Sequence, residues 1–490
     1  MSFERNKQMT AKISKSLAAF HDIALLTTAC GTPTVTPSDE TTETPSTAEG
    51  ASFDTAADLS KDNLPDDLDF SGREFRIFSR LQPWFNGSWV SEEETGEVIN
   101  DSVYKRNGRV MDRFGITISE IGSDKSDQAR NSIIAGDDSF DIVNTRCSIA
   151  FDYAEEKLFF GLDDLKYIDL SRSYWDDQLN ERVSICGKSY FAVGASNLTG
   201  YDYAHVLVFN KDLAEKKKVG DLYSLVKSGK WTLDSYSSVV KDFSEDLNGD
   251  SVMDEADLYG YLSQPKAVLP AFWIASGVLS INVNDKGEPE FTMPSDRKFL
   301  EVFDKTFEIT YDNNSWYKNS AVANYDDTLI NMFQSGKGLF MDMTFFYIAS
   351  LRDMDANFGI LPYPKYDEAQ ENYLSRIEGI ELTGVPVTAD PDFVSAVLEA
   401  LACESASTVV PAYYDVALKT KYTRDNESAD MLDLIFENRV FDLGDTIWCD
   451  MIRDGVFKPM FTDNDRALSS KFATMQSAMD AKIAATIKAF

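Results

Sequence analysis

The chain contains few histidines and no closely spaced pair of cysteines. Its 490 residues include two histidines, His21 and His205, and five cysteines, none of which forms a CxxC pair. So few histidines exclude a histidine-rich zinc site and argue against Ser-His-Asp and Cys-His catalysis. Four cysteines in the large body do not make a disulfide scaffold, so we expect them to be buried free thiols. They are Cys147, Cys186, Cys403 and Cys449.

Basic residues are also scarce, at 47 Lys and Arg against 81 Asp and Glu, for a formal net charge of −34. Phosphate backbones and anionic lipid surfaces would repel such a chain, which excludes nucleic-acid binding. Beyond the N-terminus, no apolar run approaches the roughly 18 residues of a membrane-spanning helix. A hydrophobic content of 43% and a length of 490 residues predict a globular body of two or more lobes.

The N-terminal segment resembles a secretory signal. Lys12 and Lys15 precede an apolar run at 16–29, and Cys30 follows small residues at its end. This arrangement predicts a signal peptide over 1–29 and a lipidated Cys30, although Thr27 and Asp22 depart from the usual pattern. The alternative is an ordinary signal with an incidental cysteine. Residues 30–69 are rich in Thr, Ser, Pro and acids, which predicts a disordered linker.

Strand and helix patterns alternate after residue 70. Glu74–Arg80 reads as a strand, Val98–Phe114 as an amphipathic helix and 116–121 as a second strand, which together predict a parallel crossover. Further strands are expected at 140–145, 189–195, 205–209, 340–342, Phe358–Leu361 and 381–387. Helices are expected at 212–218, after Thr232, at 393–402 and over most of the last hundred residues. The fold class is therefore α/β.

Residues 246–257, DLNGDSVMDEAD, carry the spacing of a calcium loop. Oxygen ligands recur at loop positions 1, 3, 5, 7, 9 and 12, a pattern that surrounds a Ca²⁺ ion. Aspartate at position 12 makes the loop dockerin-like, and Ser251 replaces the usual glycine at position 6. The alternative is an acidic turn without metal; with Ca²⁺, the ion would have a structural role. The expected ligands are Asp246, Asn248, Asp250, the Val252 carbonyl, Asp254 and Asp257.

Several further segments carry a family resemblance. They are NDSVYKRNGRVMDRFGI (100–116), YIDLSRSYWDDQLNE (167–181), GKSYFAVG (187–194), HVLVFNKDL (205–213), GKWTLDSY (229–236), FQSGKGLFMDM (333–343), NFGILPYPKYDEAQENY (357–373) and PAYYDVALKTKYTRD (411–425). With the N-terminal features, the chain resembles the family 1 extracellular solute-binding proteins of carbohydrate ABC importers. The resemblance covers residues 70–490.

The resemblance implies a two-lobed periplasmic-binding-protein-like fold of type II. Lobe 1 would comprise 70–203 and 338–383, and lobe 2 would comprise 204–337 and 384–490, with crossings at 202–204, 336–339 and 382–386. It also implies a monomeric, non-enzymatic lipoprotein on the extracellular face of the cell membrane of a monoderm bacterium. That protein would capture a carbohydrate, most simply an oligosaccharide, and deliver it to an ABC permease.

A sugar site needs aromatic platforms and planar hydrogen-bonding groups. In α/β clefts these groups lie after the carboxyl ends of strands. Each such residue has an ordinary alternative as a core residue or a surface ion pair. The candidates are Arg80, Trp84, Trp89, Thr145, Arg146, Asp202, Tyr203, Trp273, Asp342 and Tyr414.

Three other functions remain open at this stage. With 81 acids, a catalytic carboxylate pair cannot be ruled out by counting, so a secreted glycoside hydrolase is one. A receptor for a non-sugar solute is the second. The third is a surface adhesion protein that uses the dockerin-like loop, although true dockerins pair two such loops.

Overall fold

The structure is a computed structural model that describes residues 60–81, 89–125, 127–318, 325–414, 416 and 425–490. The predicted signal peptide, Cys30 and most of the predicted linker lie outside these residues. The strands are β1 Glu74–Arg80, β2 Thr117–Ser123, β3 Ile142–Arg146, β4 His205–Asn210, β5 Tyr259–Leu262, β6 Ile281–Val283, β7 Pro289–Phe291, β8 Gly338–Thr344, β9 Phe358–Leu361, β10 Ser375–Arg376, β11 Glu381–Gly384 and β12 Arg439–Val440.

Helices connect these strands and dominate the C-terminal part. They are α1 Val98–Phe114, α2 Gln128–Ala135, α3 Cys147–Glu155, α4 Asp177–Val183, α5 Thr199–Asp202, α6 Lys211–Lys216, α7 Leu222–Lys227, α8 Leu233–Val240, α9 Pro265–Ala275, α10 Arg297–Phe307, α11 Tyr325–Gln334, α12 Pro391–Ser407, α13 Val409–Pro411, α14 Asn426–Glu437, α15 Leu443–Thr446, α16 Lys458–Thr462 and α17 Leu468–Ala489. Short 3₁₀ turns lie at Leu162–Asp164, Met293–Ser295 and Phe345–Leu351, and π turns at Glu308–Asp312 and Arg453–Phe457.

The first sheet has the strand order β11-β3-β1-β2. β1 pairs in parallel with β2 and β3, whereas β11 runs antiparallel to β3. The predicted strand–helix–strand crossover is confirmed: α1 begins at Glu97, whose carboxylate accepts the Ile99 and Asn100 amides. It ends at Gly115, whose φ of +67° suits a residue without Cβ. The carboxyl ends of β1 and β3 therefore lie side by side.

The second sheet has the order β5-β8-β4-β9. β4 runs antiparallel to β8 and β9, and β5 is parallel to β8. This pairing corrects the predicted lobe boundaries, which placed 338–383 with the first lobe. β8 and β9 are buried throughout and complete their backbone hydrogen bonds against β4. The chain therefore does not leave the second sheet at 336–339, and it rejoins the first sheet at β11.

The helix after β11 also packs differently from the prediction, which placed 384–490 in the second lobe. α12 lies against α1 and the first sheet, where Phe393 contacts Phe70 and Phe75 edge-on at 5.1 and 5.9 Å. Among the described residues, Pro391–Tyr414 is long and apolar enough to cross a membrane, but 67% of its apolar window is buried in the protein. Such burial is typical of a core helix.

Two local predictions also differ from the structure. Segment 189–195 does not form a regular strand, because it makes only isolated bridges from Ala192 to Thr383 and from Gly194 to Trp175. Residues 60–69, predicted to belong to the linker, contact the folded body. Asp62 pairs with Arg113 at 2.7 Å, and Leu64 is buried in the core beside α1. An apolar anchor and an ion pair thus offset the ordering entropy of this acidic stretch.

Candidate functional site

A cavity of about 260 Å³ lies where the chain passes between the two sheets. Its walls come from the ends of β1 and β3, the start of β4, the second half of β8, helices α9 and α11, and the segment before β11. The lining residues are Arg80, Arg146, Tyr203, His205, Gln264, Lys266, Ala267, Leu329, Ile330, Met341, Asp342, Met343, Thr344, Tyr347, Glu378, Gly379, Ile380 and Glu381.

The wall from the first sheet carries two arginines and one carboxyl. Arg80 ends β1 and Arg146 ends β3, so the parallel register of these strands brings both side chains to one edge. Glu381 begins β11 directly opposite Arg146. An Arg80 Nη1 atom lies 3.6 Å from Glu381 Oε1, which is an ion pair without hydrogen-bond geometry. Neighbouring strands therefore place three charged groups at this wall.

Glu381 is buried and incompletely paired. It is 2% exposed, and its Oε2 atom makes no hydrogen bond to any described residue. Burial raises the pKa of Glu381 to about 7, although Arg80 and Arg146 act in the opposite direction. A buried carboxyl oxygen without a partner costs about 1–3 kcal/mol. A ligand hydroxyl placed against it would remove that cost.

The wall from the second sheet is organised around Asp342. Its carboxylate contacts His205 Nδ1 at 2.9 Å and accepts hydrogen bonds from Tyr363 OH at 2.6 Å and Ser263 Oγ at 3.1 Å. Burial opposes its ionisation, but the attraction of His205 and these hydrogen bonds lower the pKa of Asp342. Burial also opposes protonation of His205, yet Asp342 raises the pKa of the imidazole. Asp342 is thus held in place by the protein itself.

A network of short ion pairs adjoins this wall, and one of its pairs, Lys266–Glu378, lines the cavity. Arg376 binds Asp445 through two hydrogen bonds, of 2.6 and 3.0 Å, with both side chains fully buried. Glu378 accepts a hydrogen bond of 2.6 Å from Lys266. Arg453 donates to Asp454 at 2.7 Å. These pairs neutralise one another and fix the segment that crosses between the sheets.

Thr344 is a second unpartnered polar group in the cavity, on the wall opposite Glu381. It ends β8 and is 8% exposed, and its Oγ1 atom makes no hydrogen bond to any described residue. A hydroxyl in such a place both donates and accepts. Each sheet therefore contributes to the lining one residue that holds a buried polar atom without a partner among the described residues.

Four of the ten predicted ligand residues line the cavity: Arg80, Arg146, Tyr203 and Asp342. Thr145 is buried in β3 opposite Leu382 and does not line it. Asp202 is also outside the lining. It is buried and accepts a hydrogen bond from Tyr413 OH at 2.5 Å. Burial raises the pKa of Asp202 to about 7, although that hydrogen bond acts in the opposite direction.

The predicted aromatic platforms lie elsewhere, and two are corrected. Trp273 is 1% exposed, packs against Phe299 and Phe457, and donates from Nε1 to Asp442 at 3.2 Å. Trp89 is buried in the core beneath α1. Both rings are enclosed by other core residues, so neither faces the cavity. Tyr414 is half-buried and hydrogen-bonds Asp433. Trp84 lies outside the described residues.

Sequence reasoning missed His205, Lys266, Thr344, Glu378 and Glu381 as lining residues. Glu378 and Glu381 interrupt an apolar segment, IEGIEL, that leads into a predicted strand. Two acids in such a segment are an expensive choice for a core. This signal would have indicated a polar site there.

The predicted calcium loop is closed by an antiparallel bridge between Glu245 and Leu258. Asp246 accepts the amides of Gly249 and Ser251 at 2.6 and 2.8 Å. Asp257 accepts the Leu247 amide at 2.9 Å. Ser251 has a φ of +67°, the conformation that loop position 6 requires. The backbone course is compatible with the predicted loop, and its ligation of Ca²⁺ stays a prediction.

No family model and no curated protein sequence matches the chain significantly. Solved structures do match. The ABC substrate-binding protein Lmo0181 from Listeria monocytogenes, in complex with cycloalternan, is 14% identical with a TM-score of 0.55, and the match covers 84% of this chain and 99% of that one. A cyclo/maltodextrin-binding protein complexed with maltotetraose is 12% identical with a TM-score of 0.57, over 84% and 97% of the two chains. A family 1 extracellular solute-binding protein from Bifidobacterium longum subsp. infantis is 15% identical with a TM-score of 0.55, over 84% and 100%.

The chain has the fold of the family 1 extracellular solute-binding proteins. The predicted fold class, a two-lobed α/β periplasmic-binding-protein-like architecture, is therefore confirmed. In this fold the two sheets are the centres of two lobes, and the cavity described above lies at the crossings between them.

Proposed function

We propose that this protein is the substrate-binding component of an ABC importer and captures a carbohydrate in the cavity between its two sheets. The fold supports this role, and the similar structures are binding proteins rather than enzymes. Two of those structures hold oligosaccharides. The captured sugar would then pass to a membrane permease, which is a separate protein.

The observation that carries the proposal is that two residues lining the cavity, Glu381 and Thr344, each hold a buried polar atom that lacks a partner. Glu381 Oε2 comes from the first sheet and Thr344 Oγ1 from the second, and both are buried without a partner among the described residues. A ring of sugar hydroxyls supplies donors and acceptors on both sides at once. A ligand that satisfies both atoms would also hold the two sheets together, which favours a closed form.

The cavity favours binding over hydrolysis. Glycoside hydrolysis needs two carboxyl groups free to act on the sugar bond. Glu381 has a free oxygen, but Asp342 is held by His205, Tyr363 and Ser263. Glu378 is engaged by Lys266. Among the lining residues, no second carboxyl group is therefore free to form a catalytic pair with Glu381. Turnover of an oligosaccharide by the purified protein would contradict the proposal.

We further propose that the protein acts from the outer face of the cell membrane as a monomeric lipoprotein. Lipidation of Cys30 would anchor the chain, and the acidic stretch up to residue 59 would serve as a leash, because its composition resists folding. Mass spectrometry of the mature N-terminus tests this part. A start at a residue other than Cys30 would make the protein freely secreted and leave the binding role intact.

The binding role is tested by thermal unfolding in the presence of candidate ligands. A panel of neutral and acidic oligosaccharides, with peptides and polyamines as non-sugar controls, should include a sugar that raises the melting temperature saturably. A ligand at about 100 times its Kd stabilises the folded state by about 2.7 kcal/mol. If only a peptide or a polyamine stabilises the protein, the substrate class is wrong and the receptor role stands.

A further inference from the structure

The charges around the cavity are paired except at one wall. On the side of the second sheet and the crossing segment, each carboxylate has its own short partner. Asp342 binds His205, Glu378 binds Lys266, Asp445 binds Arg376 and Asp454 binds Arg453, at distances from 2.6 to 2.9 Å. On the side of the first sheet, two guanidinium groups face a single carboxyl.

Arg80 and Arg146 make no hydrogen bond from their side chains to any described residue. Arg80 has only the ion pair of 3.6 Å with Glu381, and its side chain is 16% exposed. Arg146 has no carboxylate within 4.0 Å among the described residues, although it is close enough to affect Glu381. Each guanidinium carries five N–H donors in a fixed fork. Adjacent strand ends hold these two forks beside the same cavity.

The composition of the chain makes this excess of arginines over carboxyl groups unusual. Acids outnumber basic residues by 81 to 47, so an arginine would ordinarily meet a carboxylate nearby. Arg130, Arg113 and Arg466 do so at 2.6 to 2.7 Å. Arg146 instead lines the cavity beside Glu381, to which Arg80 is also close, and has no carboxylate of a described residue within 4.0 Å. Two cations against one buried carboxyl leave a local positive site in an acidic protein.

We propose that the ligand of this cavity is an anionic saccharide, whose acidic group binds between Arg80 and Arg146. This inference rests on the proposed function and narrows its ligand. A planar guanidinium binds a carboxylate or an oxyanion through two parallel hydrogen bonds. Carboxylate, sulfate and phosphate esters share this chemistry. The hydroxyls of the same sugar would meet Glu381 Oε2 and Thr344 Oγ1.

Glu381 does not strongly repel an anionic ligand. Burial raises the pKa of its carboxyl to about 7, so a proton is available to it near neutral pH. The other titratable or charged groups that line the cavity are Arg80, Arg146, Tyr203, His205, Lys266, Asp342 and Glu378. When protonated, Glu381 becomes a hydrogen-bond donor to the sugar. Its long contact with Arg80 also leaves that guanidinium free to turn toward an incoming anion.

The test is titration calorimetry with pairs of saccharides that differ only in charge. Trigalacturonate and its fully methyl-esterified form make one pair, and maltotriose with its sulfated and phosphorylated derivatives makes the other set. Inorganic sulfate and phosphate are added alone as simple-anion arms. We expect one acidic member to bind at least about tenfold more tightly than its neutral partner, as for one charge-assisted contact.

Variants test whether Arg146 causes the preference for acidic saccharides. Arg146→Gln should weaken binding of the acidic saccharide at least about tenfold and leave the neutral partner within about threefold. Arg146→Lys should restore part of the loss, because it keeps the charge without the fork. Arg130→Gln removes the same charge from an exposed helix and should change neither affinity. Thermal unfolding of each variant confirms that it is folded.

Each other outcome has a definite meaning. If neutral saccharides bind as tightly as their acidic partners, or if Arg146→Gln has no effect, the inference is wrong and the proposed sugar-binding role stands. If sulfate or phosphate alone binds as tightly as the acidic saccharide, the site takes a simple anion and the inference is wrong. If no saccharide of either kind binds, the proposed function fails together with it.

Discussion

Arg376 and Asp445 form a fully buried, two-point ion pair, with Nε and Nη2 lying 2.6 and 3.0 Å from the two carboxylate oxygens. Arg376 ends β10 at the crossing between the sheets, and Asp445 lies in the short helix α15. Arg453 donates a further hydrogen bond of 2.8 Å to the Asp445 carbonyl. The pair therefore ties the C-terminal helices to the segment that leads into the cavity.

Breaking this pair should be costly. Asp445→Asn leaves two buried arginines short of their counter-charge, so we expect the free energy of unfolding to fall by about 3–5 kcal/mol. Urea unfolding followed by circular dichroism measures the change. The double variant Arg376→Met, Asp445→Leu should lose less than Asp445→Leu alone, because it leaves one buried arginine, Arg453, short of a counter-charge instead of two.

The exposed pair Arg466–Asp312, at 2.6 Å, is the matched control. Asp312→Asn should lower the free energy of unfolding by no more than about 1 kcal/mol, since solvent screens that pair. Equal losses in Asp445→Asn and Asp312→Asn would show that burial of the Arg376–Asp445 pair is unimportant.

Thr344→Val should separate ligand binding from stability. Thr344 Oγ1 has no partner among the described residues, so replacing the hydroxyl by a methyl group should leave the free energy of unfolding within about 1 kcal/mol of the wild type. The ligand found by thermal unfolding should bind about tenfold more weakly, because the hydroxyl would bond to it. Calorimetry and urea unfolding on the same preparation give both quantities.

Thr383→Val provides the contrast. Thr383 is also buried, but its Oγ1 donates to Asn144 Oδ1 at 3.0 Å. This variant should lose about 1 kcal/mol of stability, the net value of one hydrogen bond, with little change in affinity. A Thr344→Val protein that binds the ligand as tightly as the wild type would remove Thr344 from the site.

Local structure was predictable where the signal is local. β1 and α1 have the predicted bounds, because the alternation of EFRIFSR and the apolar face of Val98–Phe114 depend only on neighbouring residues. The placement of β8 and β9 was not predictable from the sequence. Two buried apolar strands fit either sheet, and tertiary packing decides which strand each pairs with.

The same limit applies to the candidate site. Three of the predicted residues, Arg80, Arg146 and Asp342, line the cavity, because polar residues at strand ends are a local signal; that they bind ligand stays a prediction. Trp273 and Trp89 were misassigned because a tryptophan suits a core as well as a sugar platform, and only the surrounding aromatic rings decide. Glu381 was missed because its role depends on Arg146, 235 residues earlier in the chain, which stands opposite it only after the sheet forms.

Glu381 should make stability depend on pH. Its carboxyl ionises at an ordinary pKa of 4.5 when exposed, whereas burial raises the pKa to about 7 in the folded state. Between these values the unfolded state binds fewer protons, so this residue lowers the free energy of unfolding as pH rises, by roughly 3 kcal/mol at most. Above pH 7 its contribution is constant.

Urea unfolding of Glu381→Gln and wild type from pH 4.5 to pH 8 isolates this effect. The variant should gain stability relative to the wild type as pH rises, and the gain should level off above pH 7. Burial also raises the pKa values of Asp202 and Glu399 to about 7, but those groups are present in both proteins and cancel. A difference that stays constant over the whole range would mean that Glu381 is not buried as a carboxyl.

Calcium should stabilise the protein through the loop at 246–257. We expect about 1 mM CaCl₂ to raise the melting temperature of protein stripped with EDTA, and MgCl₂ to do so less, because six or more oxygen ligands suit the larger ion.

Asp250→Asn should reduce the calcium shift, since it removes one carboxylate from the ligand set. The neighbouring Asp242→Asn makes the same change of charge outside the loop and, with a φ of +54° that asparagine tolerates, should keep the wild-type shift. Identical melting temperatures with calcium and with EDTA would show that the loop is an acidic turn, held by its own hydrogen bonds, such as those of Asp246 to Gly249 and Ser251.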